Sequence, residues 1–249
     1  MKLLALALMI LSLPLGALMQ ESSAMANALS GLSILSESVA DYSISPVMKL
    51  KGLSSFYTRP FNLSQISIFG LHNAVNINNL YVGLGNTYLY HQDYIYHNPY
   101  LNAHYCWHGF ALGASSHMIY DAVDEEDGNY DWAYDLGVAY NWKDYGAELK
   151  LLRQNLSSSQ LCLSLKTALS SEVNIALGYV NPNTYEDFFR IGMVAYLHEC
   201  ISVIGSWQNE PNRFGTGVQL RRGKLALMYS IRTHTDLNPT HSLSLDVYW

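Results

Sequence analysis

The ten residues Thr240-His241-Ser242-Leu243-Ser244-Leu245-Asp246-Val247-Tyr248-Trp249 alternate between two kinds of side chain. Most odd-numbered positions are apolar, and most even-numbered positions are polar. Because successive side chains of a strand point to opposite faces, this period predicts a strand with one apolar and one polar face. An unpaired edge strand invites pairing with another chain, so we expect this strand to lie inside a closed sheet.

The same alternation holds from about residue 48 to residue 249 and predicts about fourteen strands. Each predicted strand has close to the roughly ten residues that a tilted transmembrane strand needs. One face is consistently apolar, whereas the other mixes small, polar and charged residues. A soluble β-sandwich shows the same alternation, so this pattern alone leaves both folds open.

The connections between the predicted strands alternate in length. Longer polar connections occupy residues 122–130, 155–159, 181–187, 209–212 and 234–239, and tight ones occupy 143–145, 169–171, 198–199 and 222–223. Outer-membrane barrels have short turns in the periplasm and longer loops outside. Counting back from a periplasmic C-terminus, every longer connection falls outside. The sequence therefore predicts an all-β fold, a transmembrane antiparallel β-barrel with an even number of strands.

The composition favours a lipid-facing surface. Only 14% of the residues are charged, against about 25% in an average soluble domain, and the chain has 19 Tyr and 5 Trp. Its net charge of −6 with scattered basic residues argues against a nucleic-acid partner. The tryptophans are predicted at strand ends, as in interfacial girdles: Trp107, Trp142 and Trp249 at periplasmic ends, and Trp132 and Trp207 at outer ends.

Residues 1–17 are predicted to be a secretory signal peptide. Lys2 precedes the apolar run Leu3–Leu13, which is shorter than the about 20 residues of a membrane-spanning helix. Ala17 supplies a small residue for cleavage, and Ala24-Met25-Ala26 offers a second cleavage site.

Residues 18–47 show little alternation and form a separate N-terminal segment before the predicted barrel of residues 48–249. We expect this segment to lie in the periplasm or to plug the lumen of the barrel. The acidic stretch Asp121–Asp131 is expected to be a solvated outer loop, with a divalent-cation site as the alternative. Its spacing does not match a calcium-binding loop.

Charged residues on the inward faces are the main candidates for a functional role. We expect these charges to hold a narrow lumen together by pairing with each other or to keep it filled with water. Binding of a specific ligand is the alternative. The predicted lumen-facing residues are Glu148, Lys150, Lys166, Arg190, Lys224 and Arg232. Three cysteines are also expected on inward faces and match no metal-ligand spacing: Cys106, Cys162 and Cys200.

No catalytic, cofactor or metal site is predicted. His104 and His108 would share a strand face without converging on a metal. Ser230, His234 and Asp236 lie in the region that an outer-membrane hydrolase would use, but no nucleophile motif surrounds the serine.

Two stretches carry a resemblance to a known family. Residues 23–33, SAMANALSGLS, followed by residues 41–46, DYSISP, form a small-residue start, and residues 237–245, LNPTHSLSL, place a Thr-His pair at the start of the last strand. This chain resembles the FadL-like outer-membrane barrels, and within them the PorV/PorQ-like proteins associated with type IX secretion look closest. The resemblance implies hydrophobic-ligand transport or a role as a secretion-system partner, and it favours signal cleavage near Ala17.

We therefore expect a non-enzymatic β-barrel in the outer membrane of a Gram-negative bacterium. The expected partners are outer-membrane lipid, the barrel-assembly machinery, and a hydrophobic small molecule or secretion-system proteins. Leu245, Val247 and Trp249 are predicted to be the C-terminal signal that the assembly machinery recognises. The alternatives are an outer-membrane lipid-modifying enzyme and a soluble exported ligand-binding β-sandwich.

Overall fold

The computed structural model describes residues 23–123, 128–154, 156, 159–184 and 186–249. In these residues, antiparallel strands β1 to β14 form one closed barrel, in which β1 pairs with β14. The strands are Gly52–Arg59 (β1), Ser67–Ile77 (β2), Leu80–His91 (β3), Tyr94–Trp107 (β4), Phe110–Val123 (β5), Asn129–Trp142 (β6), Tyr145–Gln154 (β7), Gln160–Ala168 (β8), Val173–Pro182 (β9), Phe188–His198 (β10), Ile201–Gln208 (β11), Arg213–Arg222 (β12), Leu225–Arg232 (β13) and Thr240–Tyr248 (β14). The predicted all-β antiparallel barrel of about fourteen strands is confirmed, and the two-sheet sandwich is wrong as a fold.

The helices within the described residues are short. They are the α-helix α1 (Ala24–Ala28) and the 3-10 helices Ser33–Leu35, Val39–Ser43 and Pro60–Asn62. None of the helices in the described part of the chain is long and apolar enough to cross a membrane.

The last strand shows how sequence alternation becomes two faces of the barrel. Thr240 and Asp246 on the even positions are at most 1% exposed and point into the barrel. Leu243 and Leu245 on the odd positions are exposed on the outer surface. The other strands repeat this arrangement, so an apolar belt surrounds a largely polar interior.

The barrel has two unlike rims. The near rim holds the start of β1, the end of β14 and the connections 78–79, 108–109, 143–144, 169–172, 199–200 and 223–224. The far rim holds the ends of β5, β7 and β9, the starts of β6, β8 and β10, and the connections 60–66, 92–93, 209–212 and 233–239. The structure has most of the alternation of loop lengths predicted from the C-terminal half. The exceptions are the near-rim connection 169–172, which is as long as the far-rim connection 209–212, and the far-rim connection 92–93, which is as tight as the other near-rim turns. Residues 124–127 of the predicted acidic loop lie outside the described residues.

Strand β4 contains a proline near its middle. The β4–β5 ladder pairs Tyr100 with His117 but skips Asn98 and Pro99, because proline has no N–H to donate. The sequence alternation indicates this strand only from Leu101 onward, beyond the interruption.

The tryptophans lie at the strand ends and point outward. Trp107, Trp142 and Trp249 lie at the near rim, whereas Trp132 and Trp207 lie toward the far rim. All of them are exposed, at two levels of the barrel, which is the arrangement of interfacial girdles.

Candidate functional site

Residues 23–50, which we call the plug, pass through the interior of the barrel. Ser23 caps α1 by accepting a hydrogen bond from the Ala26 N–H, at 3.0 Å. Beyond α1, Leu29 and Leu32 pack against buried side chains of the barrel wall. Small and aliphatic residues let the segment turn tightly enough to fit the lumen.

Tyr42 fixes the end of the plug that leads into β1. Its hydroxyl donates to the Met48 carbonyl at 2.6 Å and accepts from the Leu50 N–H at 3.2 Å. Burial raises the pKa of this hydroxyl well above its ordinary value, so it stays a neutral donor.

Inward-facing glycines of the wall make room for the plug. A Cβ atom on Gly113 would lie 1.9 Å from the Pro46 carbonyl oxygen, and one on Gly215 would lie 2.3 Å from the Ala28 carbonyl oxygen. A Cβ on Gly178 would lie 2.5 Å from a methyl group of Leu32. The wall is therefore shaped to this segment, since a larger residue at Gly113 or Gly215 would force the plug backbone to move and one at Gly178 would displace the Leu32 side chain.

Replacing Gly113 with valine should displace the plug. Overpacking of this kind typically costs about 1–3 kcal/mol, and the nearest atom here belongs to the backbone, which cannot rotate away. Limited proteolysis of the folded barrel should show faster cleavage within residues 23–50. Gly205→Val is the matched control, because its Cβ would meet nothing within 4 Å. Equal protection of both variants would refute the close fit.

A buried ion pair on β7 holds the middle of the plug. Lys150 Nζ lies 3.5 Å from Glu148 Oε2 and donates to the Ile44 carbonyl at 3.1 Å. Glu148 accepts hydrogen bonds from the plug hydroxyls of Ser33 and Ser45. A buried ion pair is tolerated only when further hydrogen bonds satisfy both partners, and here the plug supplies them.

Strand β14 holds the plug through Asp246. The carboxylate accepts from the Ser38 hydroxyl at 3.0 Å and from the Val39 N–H at 2.9 Å. Ser38 also lies beside Ser54 on β1, with 3.4 Å between the hydroxyl oxygens. The plug is therefore tied to the strands on both sides of the β1–β14 seam.

Glu37 ties the plug to the near rim. Its carboxylate accepts from the Tyr196 hydroxyl at 2.6 Å and lies 3.6 Å from the Arg221 guanidinium. Its backbone carbonyl accepts from the Tyr248 hydroxyl at 2.6 Å. Glu37 and Arg221 are partly exposed, so this contact is open to water and to salt.

One small void lies beside the plug. It has a volume of about 20 Å³ and lies among Leu32, Ile44, Lys150, Arg153 and Arg190. That is room for about one water molecule. This void is therefore too small for an organic ligand.

Known structures share this architecture, although no family model and no curated protein matches the chain. The CymD monoaromatic hydrocarbon channel aligns with a TM-score of 0.66 and 8% identity, covering 93% of this chain and 98% of that chain. The outer membrane protein Omp33 of Acinetobacter baumannii aligns with a TM-score of 0.57 and 8% identity, covering 82% and 100%. This chain has the fold of an outer-membrane β-barrel. The FadL-like and PorV/PorQ-like assignment stays a prediction, because identities this low establish the fold alone.

The predicted lumen-facing charges of this outer-membrane-type barrel occupy different places. Glu148 and Lys150 contact the plug, as described above. Arg190 is buried, donates from Nε to the Gln208 amide oxygen at 3.2 Å and lies 4.7 Å from the centre of the Phe188 ring. Arg232 is also buried on an inward position, toward the far rim.

Lys166 and Lys224 lie close to the near rim. Lys166 is partly buried, and its stem occupies the space that a side chain at Gly146 would need. Lys224 does not face the lumen as expected. β12 continues through Arg222, and the positive φ of 59° at Gly223 then turns the chain. Lys224 is therefore exposed in the turn.

The residues of the predicted assembly signal lie on the outward side of β14 and just beyond its end. Leu245 and Trp249 are exposed, and Val247 pairs with Leu53 of β1 and Leu225 of β13. These positions suit recognition from outside the barrel, and the role as a signal stays a prediction.

Deleting Val247–Trp249 should strongly reduce insertion into the outer membrane. The deletion removes the aromatic end and the last pairs of the β1–β14 seam. The measure is the fraction of protein that shows heat-modifiable migration in membrane extracts. Trp249→Phe keeps an aromatic end and should insert normally. A truncated chain that inserts as well as Trp249→Phe would contradict the prediction.

The histidine and serine candidates are not brought together. His104 is buried between Tyr42 and Tyr81, whereas His108 lies in a near-rim turn, so the two do not share a face as expected. Ser230 accepts from the Asn27 side chain of the plug. His234 lies in the 233–239 loop, where its Nε2 is 2.9 Å from the Thr240 hydroxyl.

His234 closes part of the far rim. Its ring meets the Phe61 ring edge to face at 4.6 Å, joining the 60–66 and 233–239 loops. Burial, together with the charges of Arg232 and Arg213, lowers the pKa of His234 to about 3. The ring therefore stays neutral at physiological pH, which suits this apolar contact.

The cysteines are all free thiols, but only two have the expected position. Cys106 and Cys162 are on inward positions, whereas Cys200 lies in the turn between β10 and β11. In that turn the ligand atoms of His198, Glu199 and Cys200 lie within 4.8 Å of one another. The sequence pattern had placed Cys200 on a strand because the turn begins one residue later than predicted.

The sequence did not identify the residues that hold the plug. Glu37, Ser38 and Asp246 are ordinary polar residues, and their partners lie far away along the chain. The only signal in the sequence was the absence of alternation over residues 18–47. That absence indicated a separate segment without indicating its position.

Proposed function

We propose that this protein lies in the outer membrane of a Gram-negative bacterium and passes hydrophobic small molecules, with the plug as its gate. The observation that carries the proposal is an apolar lining inside the far half of the barrel. There Ala40 of the plug belongs to one packed apolar cluster with inward side chains of the strands and of the 60–66 loop: Phe56, Ile66, Ile68, Leu89, Tyr96, Ile119 and Ala133.

This apolar part of an otherwise largely polar interior suits ligands that gain by leaving water. Porins for ions and sugars have polar, water-filled interiors. Sites for hydrophobic molecules are lined by apolar and aromatic side chains with few polar groups. The structural similarity to CymD supports a hydrophobic ligand, because that protein is described as a monoaromatic hydrocarbon channel. The resemblance to FadL-like transporters points the same way.

The plug contacts are of a kind that can be exchanged. Ser33, Ser38 and Ser45 each contribute a hydroxyl hydrogen bond to the wall, beside the backbone contacts of Val39 and Ile44, and water that enters as the plug shifts can replace these partners. Glu37 is already partly exposed at the near rim. A modest shift of the plug would therefore open a path next to the apolar lining.

Membrane insertion is the first test. The protein should fractionate with the outer membrane and migrate in a heat-modifiable way in detergent gels. Recovery of folded protein from the soluble periplasmic fraction would refute the membrane location. This measurement is independent of any ligand.

Transport can be tested by locking the plug. The Ser38 and Ser54 hydroxyl oxygens are 3.4 Å apart, so cysteines at both positions should form a disulfide between plug and β1. Cells expressing S38C/S54C should take up a radiolabelled monoaromatic hydrocarbon slowly when oxidised and faster after reduction. The single variant S38C serves as the control. Uptake equal to that of cells without the protein, in both redox states, would refute the transport function.

A filled lumen also favours a second candidate, a non-conducting partner of a secretion system. A barrel whose plug never moves would present its rims to other proteins instead of passing a ligand. Purification of the native complex from membranes would distinguish the two candidates. Stable co-purification of secretion components, together with uptake unaffected by the plug lock, would favour the partner role.

A further inference from the structure

Exposed positive charges are concentrated in one sector of the near rim. Arg222 ends β12, Lys224 lies in the turn that follows, and Lys51 immediately precedes β1. All three side chains are exposed. Because β12, β13, β14 and β1 are neighbours in the barrel, only three strand spacings of about 4.8 Å separate β12 from β1. The three cations therefore share one short stretch of the rim, which we call the basic arc.

The other turns of the near rim do not carry this excess of positive charge. Lys143 is followed by Asp144, so the turn after β6 is locally balanced. The turns after β8 and β10 contain Glu172 and Glu199 but no lysine or arginine. The turns after β2 and β4 contain no lysine, arginine or acidic residue. The chain as a whole has a net charge of −6, so the basic arc has the opposite sign to the rest of the molecule.

The protein does not neutralise the basic arc itself. Among the described residues, no carboxylate lies within 4.0 Å of any of its three cationic groups. The neighbouring Arg221 is different, because it lies 3.6 Å from Glu37 of the plug. A terminal carboxylate at Trp249 would offset only one of the three charges. The basic arc therefore presents a net positive charge to whatever surrounds the near rim.

An apolar row on the outer surface adjoins the basic arc. The register pairs Arg222 of β12 with Leu225 of β13. Val247 of β14 pairs with both Leu225 and Leu53 of β1, so these side chains form one outward row. Trp249 is exposed just beyond Val247. Aromatic residues at this level mark the boundary between hydrocarbon and headgroups, so the basic arc lies at the level of the headgroups.

We propose that the basic arc binds the phosphate of anionic phospholipids, whose acyl chains cover the adjoining apolar row. Guanidinium and ammonium groups bind phosphate through charge-assisted hydrogen bonds, and basic groups at a bilayer surface attract anionic lipid. A zwitterionic headgroup carries its own cation beside the phosphate, so the basic arc favours the anionic lipid. The occupant is a lipid because the apolar row continues from the basic arc into the belt that faces the bilayer.

The inference rests on the membrane location given under the proposed function, and it is independent of what the barrel carries. With the C-terminus in the periplasm, as the loop lengths predict, the near rim meets the phospholipid leaflet of the outer membrane. A protein that fails to insert refutes the membrane location. An inserted barrel without lipid preference refutes the lipid site alone.

Trp249 can report which lipid lies beside the basic arc. The test uses the full-length chain with its other four tryptophans replaced by phenylalanine, inserted into bilayers of phosphatidylcholine and phosphatidylglycerol. One lipid at a time carries bromine, which quenches nearby indole fluorescence. Phosphatidylglycerol should bind beside Trp249 about fivefold more tightly than phosphatidylcholine, which is the effect of roughly one surface cation. High salt should reduce this preference, because the basic arc is exposed to water.

Removing the charges should abolish the preference. The variant K51Q/R222Q/K224Q keeps polar side chains at the three exposed positions, so it should insert with unchanged heat-modifiable migration. Its Trp249 should be quenched equally by the two brominated lipids. A preference for phosphatidylglycerol that persists in this variant would overturn the proposal.

A second tryptophan at the same level provides the matched control. Trp107 lies at the near rim beside a turn without lysine, arginine or acidic residues. A chain that keeps only Trp107 should show no preference between the two lipids. Equal quenching of Trp249 by both lipids in an inserted barrel would overturn the proposal. An equally strong preference at Trp107 would do the same, because it would show that the basic arc is not its source.

Discussion

Deleting residues 23–47 should turn a closed barrel into a conducting one. Without the plug, the inward hydroxyls, histidines and charges face an empty lumen, which water will fill. Barrels of eight strands are filled by their own side chains, whereas those of 16 to 18 strands hold aqueous channels. A fourteen-stranded barrel with glycines on its inner wall should lie toward the open side of this range.

Planar bilayer recording measures this directly. The full-length chain should give no steady current, and the deletion variant should give stable conductance steps. The oxidised S38C/S54C protein is the closed control, because its plug is intact and fixed. A deletion variant that inserts with heat-modifiable migration but remains silent would show that the wall closes the lumen without the plug.

Replacing Lys150 with methionine should be among the most destabilising single changes in this protein. Methionine fills similar space but leaves Glu148 as a buried carboxylate without its cation. Breaking one partner of a buried pair typically costs about 3–5 kcal/mol, because the remaining charge is uncompensated. The temperature of heat-modifiable unfolding should fall, and protease should cleave the plug sooner.

The double variant Glu148→Gln with Lys150→Met separates charge from packing. It removes both charges and keeps an amide that can still bond to Ser33 and Ser45. Its stability should recover most of the loss seen with Lys150→Met alone. If the single and double variants are equally unstable, the ion pair is not the source of the effect.

The sequence predicted the barrel because its physical causes are local. The side-chain alternation along β14 indicates which residues face outward and which face the interior, and each strand repeats this pattern independently. The long polar connections after β9, β11 and β13 indicate which rim carries the longer loops, and each of them can be recognised without knowledge of distant residues. Where a local rule failed, the error was local too: Lys224 and His108 were assigned to strands because turn boundaries cannot be read to the residue.

The candidate site could be predicted only in part. The alternation of side chains predicted that Glu148, Lys150 and Arg190 face the inside of the barrel, because the face of a residue depends only on its position along its own strand. The partners of these residues depend on the position of the N-terminal segment inside the barrel. Residues 18–47 show no regular alternation of apolar and polar residues that would predict this position. Glycines such as Gly113 gave no signal for the same reason, because a missing side chain has meaning only when its neighbour is known.

The bond between Ser38 and Asp246 also constrains the order in which the molecule can fold. Its two residues are separated by 208 positions, so almost the whole chain must be in place before it forms. Contacts this distant in sequence carry a high entropic cost and form late. The bond therefore requires both the docked N-terminal segment and the final strand. Because Asp246 and Ser54 on the two strands of the seam both contact Ser38, docking of the plug and closure of the barrel stabilise each other.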